Sequence, residues 1–217
     1  MQKKLILPLL ILFLILQWCM FKENNFLNNT DQQTDQTENI NNIENSQNTD
    51  NIKNVDDAKN VENTSDSTET AQYENKIENF SLDFPKNWTV KENTFNVTIS
   101  TPKDDEINEN VIIVTQQLQK FLSVAEYYEE TIRQLKETLE NFKETKSKDV
   151  TQWELKGKTI IYEHIHKDTN LTLKSLQTFF MAPENRVYSI NYTATKDSFD
   201  KYIEWVETII NSFKLNK

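Results

Sequence analysis

Between residues 80 and 114 the apolar and polar residues follow the patterns of β-strands. Phe80 to Phe84 alternates apolar with polar, and so do Trp88 to Glu92 and Phe95 to Ile99. A period of two is typical of a strand with one buried face. Val111 to Val114 is apolar throughout, as expected of a strand covered on both faces. These segments predict four short strands.

Two later segments have helical spacing instead. Ser123 followed by Glu126 forms a capping box, which marks the start of a helix. The apolar stripe of this helix lies at Ala125, Tyr128, Ile132, Leu135, Leu139 and Phe142. A second amphipathic helix is predicted from about Asp197 to Phe213, at the end of the chain.

Further strand-like segments lie between the two helices, at residues 143–155, 159–166, 171–181 and 186–195. The single glycine, Gly157, predicts a tight hairpin turn between the first two of them. Strands, helix, strands and helix with short connections predict an α+β fold. Several strands are apolar on both sides, so we expect an α/β/α sandwich. Its mainly antiparallel sheet has about six or seven strands, with helices on both faces.

The first 21 residues have the pattern of a signal or anchor segment. Lys3 and Lys4 precede a stretch from Leu5 to Trp18 that is almost wholly apolar. Extended to Phe21, this stretch reaches the lower length limit of a membrane-spanning helix. Cys19 stands where a lipoprotein cysteine would stand, and is therefore a candidate lipidation site, although Trp18 fits a lipobox poorly. An uncleaved anchor helix, a lipoprotein signal and cleavage to a free protein remain open. The first two place the domain on the extracytoplasmic side of a membrane.

Residues 22–72 are predicted to be a disordered, acidic, Asn-rich linker. The segment 22–75 holds three lysines and twelve acidic residues, with few apolar side chains to form a core. It carries most of the chain's net charge of −10. The folded domain is expected to span residues 73–217. Net acidity argues against a nucleic acid as partner.

Composition also excludes several classes of site. One glycine is too few for the phosphate-binding loop of a P-loop or dinucleotide-binding enzyme. One cysteine excludes a disulfide framework and a multi-cysteine zinc site. We therefore expect no cofactor.

The candidate metal ligands are His164, His166 and Asp168. Their spacing would point all three to one face of a strand, and such a set can bind zinc or another divalent cation. Two ordinary histidines near a strand end are the simpler interpretation. No serine or cysteine outside the first 21 residues marks a nucleophilic site, so no catalytic residue is assigned.

Most of the large aromatic residues are expected in the core. Trp153 is the exception, because Glu154 and Lys156 follow it near a strand end. An exposed aromatic residue at this position would indicate a binding surface.

The segment from Asn79 to Trp88 resembles the opening of PsbP-like domains, in which Phe-Ser precedes an aromatic residue, proline and tryptophan. The hairpin from Leu155 to Lys158 is similar to the family's Gly-Lys turn. The ending from Ala194 to Lys214 looks like its last strand, final helix and closing Ser-Phe. The resemblance covers Tyr73 to Leu215 and implies an α/β/α sandwich. Ran-binding Mog proteins and envelope lipoproteins of the DcrB type share that fold.

What this resemblance implies is non-enzymatic binding or assembly at a membrane, with another envelope protein as partner. Two other hypotheses remain open. One is an envelope enzyme, a metal-dependent hydrolase using the face of His164 and His166. The other is a carrier of a small ligand.

Overall fold

The structure is a computed structural model that describes residues 69–102 and 109–216. In chain order its elements are β1 (Thr70–Asn75), β2 (Phe80–Pro85), β3 (Thr89–Glu92), β4 (Asn96–Ser100), β5 (Asn110–Gln117), α1 (Val124–Thr138), β6 (Glu140–Gln152), β7 (Leu155–Ile165), β8 (Thr172–Ala182), β9 (Arg186–Thr195), α2 (Ile203–Ser212) and β10 (Lys214–Leu215). The predicted anchor with Cys19 and the predicted linker up to residue 68 lie outside the described residues. Of the helices within them, neither is long and apolar enough to cross a membrane.

The strands form two sheets. Seven of them make one antiparallel sheet in the order β3-β4-β5-β9-β8-β7-β6, and the order of the smaller sheet is β1-β2-β10. The predicted α+β class and antiparallel sheet are confirmed. The short strand β10 was not predicted, because its two residues carry no pattern of their own.

Each face of the large sheet has its own hydrophobic core. Successive side chains of a strand point to opposite faces. Phe179 therefore joins the core under α1, while Phe180 joins the core under α2. Tyr127 of α1 packs edge-on against Phe179, with ring centroids 4.7 Å apart. On the other face, Phe213 stacks on Phe180 at 5.4 Å and meets Phe80 of β2 at 5.5 Å. The predicted helix on each face is confirmed.

The capping box of α1 is formed as predicted. The backbone N–H of Glu126 donates to the Ser123 hydroxyl, and the Glu126 carboxylate accepts from the backbone N–H of Ser123 at 2.8 Å. The helix itself differs from the predicted stripe. It ends at Thr138, and Tyr127 is buried whereas Ala125 is exposed.

The first described strand, β1, includes residues 70–72, which the sequence assigns to the linker. β1 starts at Thr70 and pairs with β2 over all six of its residues. Tyr73 is its one buried side chain; the ring lies 6.0 Å from Phe80 and the hydroxyl donates to Glu92. Backbone pairing with β2 holds this strand, so a search for apolar periodicity places its start too late.

The hairpin turn predicted at Gly157 lies elsewhere. Trp153 and Glu154 form the two-residue turn between β6 and β7, because Gln152 pairs with Leu155. Gly157 lies within β7 and has no positive φ. A Cβ at this position would lie 1.8 Å from the carbonyl oxygen of Phe179. The glycine is therefore required by close strand packing and not by a turn.

Candidate functional site

His164, the first predicted metal ligand, is a buried residue of β7. It is 4% exposed, and its ring lies 5.9 Å from that of Tyr162. Its Nδ1 has no hydrogen-bond partner. Burial, and then the charge of nearby His166, lowers the pKa of His164 to about 4. The imidazole is therefore neutral at pH 7.

His166 and Asp168 follow β7 in the turn that leads to β8. Nδ1 of His166 lies 3.0 Å from the hydroxyl of Thr169. Across the described parts of the chain, no three His, Cys, Asp or Glu side chains are grouped as a metal site requires. The structure thus does not assemble the predicted set.

A groove lies between α2 and the sheet face formed by β6, β7 and β8. Its volume is about 250 Å³. The floor is apolar and is formed by Val150, Leu176, Phe180 and Ile210. Beside them Thr159 also lines the groove, and its hydroxyl shares a 2.8 Å hydrogen bond with that of Thr178. Leu176, Phe180 and Ile210 are buried, so half-buried Val150 presents the apolar surface that a ligand can contact.

Polar and charged residues surround the apolar floor of the groove. They are Lys148, Thr151 and Gln152 from β6, with Glu207 and Asn211 from α2. The side-chain amide of Gln152 donates to the backbone carbonyl of Asn211, so one contact bridges the strand and the helix. An ammonium and a carboxylate on opposite walls can orient a polar or charged ligand.

β6 borders this groove and is also an edge strand. It is 13 residues long, and on its outer side it has no strand partner among the described residues. An edge of this kind presents unpaired backbone N–H and C=O groups, which can pair with an added extended segment. β3, at the opposite edge, has only four residues.

The helix α1 contacts β6 on the sheet face opposite the groove. The Tyr128 hydroxyl donates to the Glu144 carboxylate at 2.8 Å. Burial, followed by this hydrogen bond, raises the pKa of Tyr128. The Lys158 ammonium lies 4.8 Å from the Tyr128 ring centroid and pairs with Asp149 at 2.7 Å. The edge strand is therefore held in place before any ligand arrives.

Trp153 directly follows Gln152 at one end of the groove. It is 71% exposed and has a φ of 54°. A bulky residue rarely adopts this left-handed backbone, which costs about 1–3 kcal/mol. From the sequence, an exposed aromatic residue at this position would indicate a binding surface. Trp153 is exposed. The groove itself was missed, since its walls come from four separate elements and no local pattern joins them.

Comparison with known proteins identifies the fold. The model of the DcrB family matches residues 79–212, which confirms the predicted Mog/PsbP/DcrB-type resemblance. No curated protein matches the sequence significantly.

Several solved structures share this architecture at low sequence identity. LpqN of Mycobacterium tuberculosis, involved in cell envelope biogenesis, is 14% identical with a TM-score of 0.54, over 64% of this chain and 83% of LpqN. PA94 of Pseudomonas aeruginosa, of unknown function, is 15% identical with a TM-score of 0.51, over 66% of this chain and 94% of PA94. Cyanobacterial PsbP of Synechocystis is 10% identical with a TM-score of 0.48, over 67% and 92%. At these identities the likeness concerns the fold alone.

Proposed function

Because the chain belongs to the DcrB family, we propose that it is a non-enzymatic binding module of the cell envelope. Its domain takes an extended segment of another envelope protein along β6, with side chains of that segment in the groove beside α2. The envelope role of LpqN, which shares the fold, supports the location.

The observation that carries this proposal is the groove beside a long edge strand. An added strand would gain backbone hydrogen bonds from β6, while alternate side chains would enter the groove. Half-buried Val150 offers apolar contact there, and exposed Lys148 and Glu207 offer charge. Affinity and specificity then come from two different features of the same site.

The size of the groove favours a protein segment over a carried small molecule. Pockets for drug-sized ligands and cofactors have volumes of about 300–1,000 Å³. This groove, at about 250 Å³, falls below that range. It can hold one or two side chains of a segment whose backbone remains outside.

The N-terminal residues supply the proposed attachment to the membrane, with the domain on the extracytoplasmic side. Replacement Cys19→Ala distinguishes the two modes. An anchor helix predicts unchanged membrane fractionation and no acyl label. A lipoprotein predicts release from the membrane or failed maturation.

Site-specific photo-crosslinking in intact cells tests partner binding. Thr151 lines the groove, and Thr89 lies on the opposite edge strand; both threonines are exposed. A photoreactive amino acid at residue 151 should give an adduct with one envelope protein. The crosslinked peptides should map to one segment of that partner.

The same amino acid at residue 89 should not give this adduct. Equal adducts from both positions would indicate random collision. No adduct from residue 151 would remove the groove from the proposal.

A further inference from the structure

Three loop tips expose large apolar side chains. Ile77 is 87% exposed, Phe121 is 76% exposed and Trp153 is 71% exposed. These are the three most exposed of the five large apolar side chains that the described residues present to solvent. Each lies outside the groove and outside both cores.

The fold places all three tips at one end of the domain. Trp153 lies in the β6–β7 turn, beside the turn that joins β8 to β9. The loop that carries Phe121 starts at this end, where the N–H of Leu118 donates to the Asn185 carbonyl. The Ile77 turn is attached there by the Tyr188 hydroxyl, which donates to the backbone carbonyl of Glu78 at 2.8 Å.

The turn that holds Ile77 is fixed internally. The Asn75 carboxamide oxygen accepts from the N–H of Ile77 at 3.0 Å and from that of Glu78 at 2.8 Å. Asn79 completes the turn with a φ of 59° and donates to the Asn216 carbonyl. The isoleucine is therefore held outward by a defined structure.

A lysine accompanies each apolar tip. Lys76 precedes Ile77, Lys120 precedes Phe121, and Lys156 lies three residues after Trp153; all three lysines are exposed. Acidic residues are also present at this end.

Of these acids, Glu78 pairs with Arg186 at 3.8 Å, and Glu154 and Glu184 are exposed. The apolar tips and their adjacent ammonium groups match the two regions of a membrane surface, acyl chains below and anionic headgroups above.

We propose that this end of the domain docks onto a bilayer surface that carries anionic lipids, with Ile77, Phe121 and Trp153 entering the interface. Lipids can rearrange around apolar tips that stand on separate loops. A specific protein interface needs instead a contiguous, complementary apolar core. Tryptophan and lysine are also side chains suited to the interfacial region.

The position of the chain's N-terminal part permits this docking. β1 enters at Thr70, which pairs with Pro85 at the end of β2 remote from Ile77. The central strands β7 and β8 have 11 residues each and span about 36 Å. The covalent length of residues 22–68 allows a span of at most about 155 Å. An anchored chain can therefore bring its far end back to the membrane.

Tryptophan quenching in the full chain tests the proposal. The protein is reconstituted in phosphatidylglycerol vesicles whose acyl chains do or do not carry bromine. Trp153→Phe keeps an apolar tip but removes the reporter. If Trp18 is retained in an anchor helix it is quenched as well, and bromine-dependent quenching should fall by about half in this variant. If a lipoprotein signal that carries Trp18 is cleaved, almost all of the quenching should be lost. Trp205→Phe, on α2, is the matched control and should leave the quenching unchanged.

Charge reversal separates docking from anchoring. Lys120→Glu should lower the quenching assigned to Trp153 at least twofold, whereas Lys167→Glu, in the β7–β8 turn, should not. Quenching that is the same in the wild type and in Trp153→Phe would overturn lipid docking. An adduct between a photoreactive residue 121 and a protein, with no quenching of Trp153, would assign this end to a protein partner instead.

Discussion

Replacing His164 with phenylalanine should make the free energy of unfolding less dependent on pH between pH 7 and pH 4. The side chain is 4% exposed, and its Nδ1 has no hydrogen-bond partner. Its pKa is lowered to about 4, against an ordinary value of 6.5. Between these values the unfolded chain binds a proton at this ring that the folded chain does not.

The sign and size of the effect follow from that difference. Stability from the neutral ring is fully present above pH 6.5 and decreases as the pH falls through about 4, because protons favour the unfolded state. A pKa of about 4 in the folded chain against 6.5 in the unfolded chain corresponds to about 3 kcal/mol. This is a large part of the 5–15 kcal/mol that typically separates folded and unfolded states.

Urea unfolding at pH 7 and pH 4 measures the effect. The wild type should lose about 3 kcal/mol more than His164→Phe between the two pH values, because the carboxylates titrate in both proteins. His166→Gln is the matched control and should keep most of the wild-type dependence, since burial is the larger cause of the shift. Equal losses in the wild type and in His164→Phe would refute the reasoning.

Two further substitutions test the packing. Trp88 is 5% exposed and lies edge-on to Tyr202, so Trp88→Ala should destabilise the domain by about 3–5 kcal/mol in calorimetric melts; a melting temperature within a few degrees of wild type would contradict its place in the core. Gly157→Ala would drive a Cβ into the Phe179 carbonyl and should lower the unfolding free energy by about 1–3 kcal/mol. Lys156→Ala, at an exposed neighbouring position, should change it by less than about 0.5 kcal/mol, and an equal effect of both would show that β7 relaxes freely.

The sequence predicts those elements whose cause is local. The capping box of Ser123 and Glu126 forms within four residues. The strand β9 begins at Arg186 and ends at Thr195, as the sequence predicts. The fold class follows from the order of such elements. The end of α1 was placed too late, because Leu139 and Phe142 continue the apolar spacing although the backbone is already extended at Leu139.

The candidate site depends on contacts between distant residues and could not be predicted in the same way. Gln152 and Asn211 meet across 59 positions of the chain. Gly157 suggested a turn because glycine is common there, yet the carbonyl of Phe179 is what excludes a side chain. Trp153 carried the one useful local signal, an aromatic residue among charged neighbours at a strand end.

The two proposed surfaces meet at the β6–β7 turn, and this restricts the kind of partner. Gln152 lines the groove, and the next residue, Trp153, is one of the three tips. If the tips enter the bilayer, the part of the groove where Gln152 contacts Asn211 lies close to the membrane. A segment bound along β6 would then lie within about 40 Å of the bilayer, the length of that 13-residue strand. An envelope protein whose recognised segment adjoins its own membrane anchor meets both requirements. A partner that presents its segment only far from the bilayer could bind the groove only while the tips are released.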